Sequence, residues 1–465
     1  MAVEQFDVAI IGAGQAGGPL SSAFANAGKS TVIIEREHVG GTCVNVGCTP
    51  TKTMIASGDI AYRAKRAADF GVETGDVTIS MTKIRDRKRA NVETWREGSL
   101  KGITAPEGVT LLMGEARFTG PKQLRVTLNE GGERTIDAGT IIIDVGERPA
   151  PLKAEGAETT PYLNSTSIME LDEVPGHLIV IGGGYVGLEF SQLFRRLGSE
   201  VTIVQHGKQL LSREGPDIAE EMRKVLAEDG ITIHLNSSAT KIEGTTGAIE
   251  LTVTGDGKKQ IITGTHVLAA AGRIPNTDSL DLSKAGIETD DRGYILTSGM
   301  LATNVDGVYA VGDVTPGPKF THISYDDFRV LQTNLIEGGN RSIEGRQVPY
   351  VVFTEPQLGR IGLSEYQAKE QGLAYQIARI PMSSVARAYE VDEPRGAMKA
   401  LVDSGSKRIL GAAILGLDGG EIMAMIQMAM LGDLPYTALR DGIWAHPTLA
   451  EGLSSLFSSS LKDPS

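Results

Sequence analysis

The sequence predicts an α/β fold in which one supersecondary unit occurs twice, ahead of a C-terminal α+β region. Three observations predict it. An apolar run, Asp7-Val8-Ala9-Ile10-Ile11, meets Gly12-Ala13-Gly14-Gln15-Ala16-Gly17, and a second apolar run ends at Glu35. The same order returns at His177-Leu178-Ile179-Val180-Ile181, then Gly182-Gly183-Gly184-Tyr185-Val186-Gly187, then a run ending at Gln205. Beyond Pro349, strand-like runs (Met398–Val402 and Ile409–Leu415) alternate with an apolar helix, Glu421–Leu431.

Each repeat reads as strand, glycine turn, helix, strand: a βαβ unit. From Gly12 to Glu35 and from Gly182 to Gln205 the spacing is the same 23 positions. One G-x-G-x-x-G is weak evidence for a dinucleotide site, whereas two in matching context are strong. Gly12 and Gly182 permit the tight turn. Gly14 and Gly184 let backbone N–H groups approach a pyrophosphate, and Gly17 and Gly187 let helix pack on strand. The helix N-terminus adds partial positive charge. Two Rossmann-like nucleotide-binding domains are therefore expected. At the first, Glu35 stands where a carboxylate accepts hydrogen bonds from ribose hydroxyls. At the second, Gln205 has no charge to repel a 2′-phosphate, and His206 and Lys208 attract one, so NADPH is expected over NADH.

A chain of 465 residues has room for about three domains. Lys+Arg total 45 against 58 Asp+Glu, a net charge of −13, which disfavours nucleic acid and anionic membrane as partners. No apolar run reaches the length of a bilayer span, and the acidic start Met1–Asp7 runs directly into a strand, so a cytoplasmic protein is expected. The 57 glycines point to many turns and close backbone approaches. Methionines 423, 425, 428 and 430 on the C-terminal helix read as core or subunit packing rather than as a metal site. The Ser-rich tail Ser454–Ser465 is expected to fray.

The only cysteines are Cys43 and Cys48. A bond closing so short a loop removes little unfolded-state entropy, so in a reducing compartment the pair reads as reactive rather than structural. Their context is Gly40-Gly41-Thr42-Cys43-Val44-Asn45-Val46-Gly47-Cys48-Thr49-Pro50-Thr51-Lys52. This stretch resembles the redox-active disulfide of the flavoprotein disulfide reductases, the family of dihydrolipoamide dehydrogenase, glutathione reductase and mercuric reductase. The resemblance covers essentially the whole chain. It includes both glycine fingerprints, Ala310-Val311-Gly312-Asp313-Val314, and the terminal His446-Pro447-Thr448-Leu449-Ala450-Glu451.

The resemblance implies an FAD site at Gly12 and a nicotinamide cofactor site at Gly182. It implies that Cys48 lies against the flavin as the charge-transfer thiolate and that Cys43 attacks substrate. Lys52 and Glu189 would pair near the flavin, and Tyr185 would cover it until the nicotinamide arrives. Asp313 would bind the ribitol and Thr42 the pyrophosphate. Ala116 would meet the adenine through its backbone, and Thr321 and His322 the flavin likewise. Arg273 would sit at the nicotinamide cofactor's site. His446, backed by Glu451, would serve Cys43 as a base, contributed by the opposite subunit of a homodimer. An imidazole suits that task near neutral pH, and a carboxylate fixes its tautomer. The implied domains are 1–148 with 271–345 for FAD, 149–270 for NAD(P), and 346–465 for dimerisation.

Within the family, Thr49 and Thr51 depart from the commonest redox motif, and Gly317–Phe328 departs from dihydrolipoamide dehydrogenase and glutathione reductase. The nearest subset looks mercuric-reductase-like, a group that includes flavoproteins of reactive-chlorine defence. Mercury reduction itself is disfavoured: Hg²⁺ wants thiolates, and there is no third cysteine or preceding metal-binding segment, while His446 is kept. The expected activity is transfer of electrons from NAD(P)H through Cys43–Cys48 to a disulfide or other small oxidant, with no metal site. Dihydrolipoamide dehydrogenase, a metal-ion reductase and a non-enzymatic flavin sensor are the alternatives. A sensor would need none of Cys43, Cys48, Lys52, His446 and Glu451.

Overall fold

Runs of aliphatic residues with no polar interruption make strands buried on both faces. Ala9–Ile11, Val32–Ile34 and Ile141–Ile143 are such runs, and all are excluded from water. In the computed structural model, which describes residues 3–255 and 257–464, they lie side by side. Strand Val3–Ile11 pairs in parallel with Thr31–Glu35 (Ile11 opposite Ile34) and with Glu133–Ile143 (Ile11 opposite Ile143). Val109–Gly120 joins in parallel beside Thr31–Glu35, and Val308–Ala310 beside Glu133–Ile143. Gln123–Leu128 links Val109–Gly120 to Glu133–Ile143 as an antiparallel meander. This sheet belongs to the first of two compact units, formed by Met1–Met54, Thr82–Ala150 and Gly272–Arg346. Helices Gly17–Asn26 and Thr321–Leu335 bury Leu20, Phe24, Val330 and Leu331 in its core.

The second unit comprises Ile55–Met81, Pro151–Ala271 and Gln347–Ser465. Its nucleotide-type sheet is wholly parallel, in the order His266–Ala269, His177–Ile181, Glu200–Val204, Thr232–His234. Helix Tyr185–Leu197 covers it with Leu188, Leu193, Phe194 and Leu197 inward. A separate antiparallel meander runs through Ser237–Thr245, Ala248–Gly255 and Lys258–Gly264. The C-terminal part is a five-stranded antiparallel sheet, ordered Tyr350–Val352, Gln357–Gly362, Ile409–Gly416, Ala397–Asp403, Tyr375–Pro381. Helix Gly419–Leu431 packs on that sheet through Ile422, Met423 and Ile426. The methionines divide: Met423 is core, whereas Met428 is 67% exposed.

The tail corrects the expected fraying. Gly452–Ser458 is a helix, and Leu453, Leu456 and Phe457 are buried in the C-terminal core. Their i, i+3, i+4 spacing makes one apolar stripe; of the intervening serines, Ser455 faces outward and Ser454 Oγ donates to Arg440 O at 2.7 Å. Beyond it, backbone bonds between Ile377 and Lys462 hold the chain to the sheet edge. Phe457 is 2% exposed and its ring lies 5.6 Å from that of Tyr436. Phe457→Ala is therefore expected to destabilise this unit by about 3–5 kcal/mol, read as a lower urea midpoint for its unfolding. A frayed tail would leave that midpoint unmoved.

Candidate active site

In the first unit the chain turns at Gly12 with φ of 102°, a conformation that L side chains rarely adopt. A Cβ there would lie 2.3 Å from the carbonyl oxygen of Asp144, and one at Gly17 would lie 2.3 Å from that of Gly12. The turn is wired at both ends. The Gly17 N–H donates to Asp144 Oδ2 at 2.8 Å, and the Ala13 N–H donates to Glu35 Oε2 at 2.9 Å. Glu35 Oε1 accepts from the Glu37 N–H at 2.8 Å, and each carboxylate oxygen retains a further acceptor site. Asp144 is a residue the sequence reading missed. Its signal was a lone acid ending the apolar run Ile141-Ile142-Ile143. Burial pushes its carboxyl well above the ordinary range, against the opposing bond from Gly17, and Asp313, Asp327 and Glu35 push the same way.

The cysteine segment is tied to this turn. The Gly40 N–H donates to Ala13 O at 2.8 Å, and Gln15 Nε2 donates to Gly40 O at 2.9 Å. A Cβ on Gly41 would lie 2.9 Å from Gly14 Cα. Cys43 and Thr42 sit in the short helix Gly41–Asn45, and Cys48 opens the helix Cys48–Lys65. Gly47 between them lets the chain fold back, since a Cβ there would lie 2.7 Å from Thr42 O and 3.2 Å from Cys43 Cα. Asn45 Nδ2 donates to the carbonyls of Val39 and Gly41 at 2.9 Å, and Arg96 Nε donates to Asn45 Oδ1 at 2.8 Å. No disulfide joins Cys43 to Cys48 in this structure. The Cys43 thiol is pushed up by its hydrogen bond to Cys48 and by burial, while Thr321 and the charge of Lys52 oppose. Cys48 Sγ lies 3.5 Å from Thr321 Oγ1.

A second cluster in this unit was only partly foreseen. Arg273 Nε meets Glu147 Oε1 at 2.5 Å, and its Nη2 donates to Glu147 O at 2.7 Å. The Tyr294 hydroxyl donates to Glu147 Oε2 at 3.2 Å. Lys319 Nζ lies 4.0 Å from the centre of the Tyr294 ring and donates to the carbonyls of Asp313 (2.8 Å) and Thr315. Arg273 is thus engaged by its own unit's Glu147. Burial, then Glu147, push the Asp313 carboxyl from 3.8 up to about 6, with Lys319 and Arg273 opposing. Ala116 is buried in the strand Val109–Gly120, and the His322 ring stacks on Phe320 at 5.4 Å. These residues fit FAD. The ten-residue helix after the glycine turn begins without a side-chain cap, Glu35 has spare acceptor sites, and among the described residues no hydrogen bond reaches the Asp313 carboxylate.

The second unit repeats the wiring with one change. Gly182 turns with φ of 117°, and a Cβ on Gly187 would lie 2.1 Å from Gly182 O. The Gly183 N–H donates to Gln205 Oε1 at 3.0 Å, where Ala13 uses Glu35. Gln205 Nε2 donates to Gln209 O at 3.1 Å. Gln205 is buried; His206, Lys208 and Arg213 are exposed in the segment after it. Gly184 precedes Tyr185, the first residue of the covering helix, and Glu189 Oε1 accepts from the Phe353 N–H at 2.9 Å. Near the C-terminus His446 Nδ1 lies 2.9 and 3.1 Å from the Glu451 carboxylate oxygens, with His446 71% exposed. Lys52 belongs to the first unit and Glu189 to the second. Among the described residues, no group of three or more His, Cys, Asp or Glu is set to hold a metal ion, and no helix is long and apolar enough to cross a membrane.

Two glycine turns and a folded-back cysteine pair define a nucleotide-dependent oxidoreductase. The chain belongs to the pyridine nucleotide-disulphide oxidoreductases: residues 6–327 match that family and residues 348–456 match its dimerisation domain. The family is FAD- and pyridine nucleotide-dependent. The chain is 35% identical over 460 residues to the probable pyridine nucleotide-disulfide oxidoreductase RclA of Escherichia coli, covering 98% of this chain and 99% of RclA. It is 33% identical to a mercuric reductase of Streptomyces lividans, over 96% of this chain and 94% of the relative. It is 32% identical to mitochondrial dihydrolipoyl dehydrogenase of Pisum sativum, over 97% and 90%. The solved structure of the Cu(II) complex of HOCl-induced flavoprotein disulfide reductase RclA from Escherichia coli superposes with a TM-score of 0.88 at 34% identity, covering 98% of this chain and 99% of that one.

Asp313 generates a test. In the unfolded chain its carboxyl ionises near its ordinary 3.8, in the folded chain near 6. Between these values the folded state holds the extra proton, so stability falls as pH rises through the window, and the loss is complete above about pH 6. In FAD-free protein, Asp313→Asn is expected to raise stability at pH 7–8 by up to roughly 3 kcal/mol. The gain should fade toward pH 4. Urea unfolding across pH checks this, and a pH-independent gain contradicts it.

Proposed function

We propose that the chain acts as a homodimeric flavoprotein that carries electrons from NADPH, in preference to NADH, through Cys43 and Cys48 to a small-molecule oxidant, a disulfide or a compound of similar reactivity. The observation that carries this reading is the hydrogen-bonded thiol pair folded against the Gly12 turn. In this reading 1–148 and 271–345 bind FAD, 149–270 bind the nicotinamide nucleotide, and 346–465 pair the subunits.

FAD, when bound, supplies an acceptor for hydride that hands the electron pair to the cysteines. The chain's own residues do the rest. Gly12 makes the turn and Gly17 closes helix on strand, so that Gly14 and Thr42 would hold the pyrophosphate, Glu35 the adenosine ribose, and Asp313 the ribitol. Ala116 meets the adenine, and Thr321 and His322 the flavin, through backbone atoms. Lys52, one helical turn beyond Cys48, places a positive charge beside the thiols, with Glu189 as its intended counter-charge. Tyr185 lies at the head of the second nucleotide site, and Arg273, held by Glu147, is given to that site by the resemblance alone.

The dithiol then reacts by exchange. The Cys43 thiolate attacks one sulfur of the substrate disulfide. That S–S bond breaks, and the leaving thiolate takes a proton from the His446 imidazolium. The Cys48 thiolate next attacks the Cys43 sulfur, releasing the second half of the substrate as a thiolate that takes its proton from solvent, and closing the Cys43–Cys48 disulfide. One substrate disulfide becomes two thiols, and the enzyme dithiol becomes a disulfide. Glu451, 2.9 Å from His446 Nδ1, orients the imidazole and fixes its tautomer. The family resemblance assigns this dyad to the second copy's site.

The NADPH preference is supported by Gln205, whose carboxamide makes the backbone bond without a negative charge, and by exposed His206, Lys208 and Arg213. Paired His206→Ala and Lys208→Ala substitutions are expected to lower the NADPH-to-NADH ratio of kcat/KM by about tenfold, mostly through KM for NADPH. An unchanged ratio removes these residues from the reading. Anaerobic addition of one equivalent of NADPH should expose two alkylatable thiols per chain and produce a long-wavelength absorption band that Cys48→Ser abolishes. Thiols that never change with reductant would contradict the relay.

A further inference from the structure

We propose that the Thr321 hydroxyl is a catalytic group: it donates its hydrogen bond to the Cys48 thiolate and so decides which of the two sulfurs carries the negative charge. The inference rests on the dithiol reading above and goes beyond the backbone role the resemblance gives Thr321.

Three observations carry it. Thr321 Oγ1 lies 3.5 Å from Cys48 Sγ, and the same hydroxyl also reaches Cys43. A threonine hydroxyl has one proton, so it stabilises one thiolate at a time. Thr321 is the first residue of the fifteen-residue helix Thr321–Leu335, whose N-cap, Phe320, has no side-chain acceptor. The helix therefore adds its positive end beside the sulfurs, a setting that favours thiolate. The β-branched side chain is stiff about χ1, so the hydroxyl is held rather than searching.

The two sulfurs are not equivalent. Thr321 Oγ1 contacts Cys48 Sγ, while the Cys43 thiol is pushed up by its bond to Cys48 and by burial. Cys48 begins the helix that carries Lys52 one turn later. The charged groups facing the pair are Lys52 from that helix and Asp313 from the turn Gly312–Val314, together with the partner thiol itself. Lys52 favours a thiolate and Asp313 opposes one. Lys52 does not choose between the sulfurs; the hydroxyl, seated 3.5 Å from Cys48 Sγ, places the charge there and leaves Cys43 protonated. That division gives a base such as His446 a proton to remove when substrate arrives.

The test uses full-length, FAD-loaded protein, reduced with dithiothreitol and desalted anaerobically. The long-wavelength absorption band that reports a Cys48 thiolate beside the flavin is followed against pH in wild type, Thr321→Val and Thr321→Ser. Thr321→Val should move the Cys48 midpoint up by about one pH unit, a roughly tenfold loss of thiolate below it. Thr321→Ser should superimpose on wild type. A Thr321→Val profile identical to wild type overturns the proposal, as does a Thr321→Ser profile shifted equally far. Should Thr321→Val lose FAD, thiolate absorbance near 240 nm, compared between Thr321→Ala and Thr321→Ser in a Cys43→Ser background, answers the same question with the same expected order. The parent reading fails separately: a protein whose two thiols never pair reversibly under redox titration fails it whatever Thr321 does. If the thiols pair in every variant while Cys48 titrates identically, the Thr321 proposal fails alone.

Discussion

The first unit depends on one buried carboxyl. Asp144 takes the Gly17 N–H at 2.8 Å, and its own N–H donates to Ile11 O at 2.8 Å. On its other side, a Cβ at Gly12 or at Gly312 would press against it, at 2.3 Å from its carbonyl oxygen and 3.0 Å from its Oδ1. The Gly12 turn and the Gly312–Asp313 turn are therefore packed around the same residue. The cysteine loop is added through Gly40 and Gly41, which rest on Ala13 and Gly14. A buried acid is costly unless it is hydrogen-bonded, and here its bonding is what aligns the three loops that make the site. Asp313, on the turn packed against Asp144, is raised by its own burial and then by Glu147.

Around that junction the chemistry is arranged by short loops rather than by long-range design. Gly47 brings Cys48 back over Cys43 within one turn of chain. Helix starts at Cys48 and Thr321 then direct their positive ends toward the sulfurs. Buried Glu147 and half-buried Arg273, with Tyr294 and Lys319, form a balanced set of charges beside Asp313. Its components are individually ordinary; their value lies in placing two cations against two acids in a poorly solvated space.

What the sequence made legible was local. The glycine turns, their equal offset to Glu35 and Gln205, and the Cys43–Cys48 spacing are all visible within short windows, because each is a backbone requirement met by neighbouring residues. The strands Ala397–Asp403 and Ile409–Gly416 were visible as apolar runs. What escaped notice was assembled from afar. Residues 147, 273, 294 and 319 have no common window, so no period or motif announces their contact. Asp144 gave only the weak signal of an acid after three isoleucines. The tail misled for a different reason: serines at 454, 455 and 458 mask Leu453, Leu456 and Phe457, and composition was weighed above the stripe these three form. His446 and Glu451 were recognised through motif context, not from any property of an isolated histidine.

The two glycine turns also differ by a single functional group. Glu35 and Gln205 accept the same backbone N–H at the same place in each repeat, one as a carboxylate and one as a carboxamide. Swapping NH₂ for O⁻ at this position leaves the accepting oxygen where it is. The codons for the two residues differ by one base. A descendant of this chain is thus one base change away from adding or removing a charge here, at the cost of the second bond each side chain makes: Gln205 Nε2 donates to Gln209 O, where a carboxylate oxygen would meet a carbonyl, and Glu35 Oε1 accepts from the Glu37 N–H, where an amide would meet a donor.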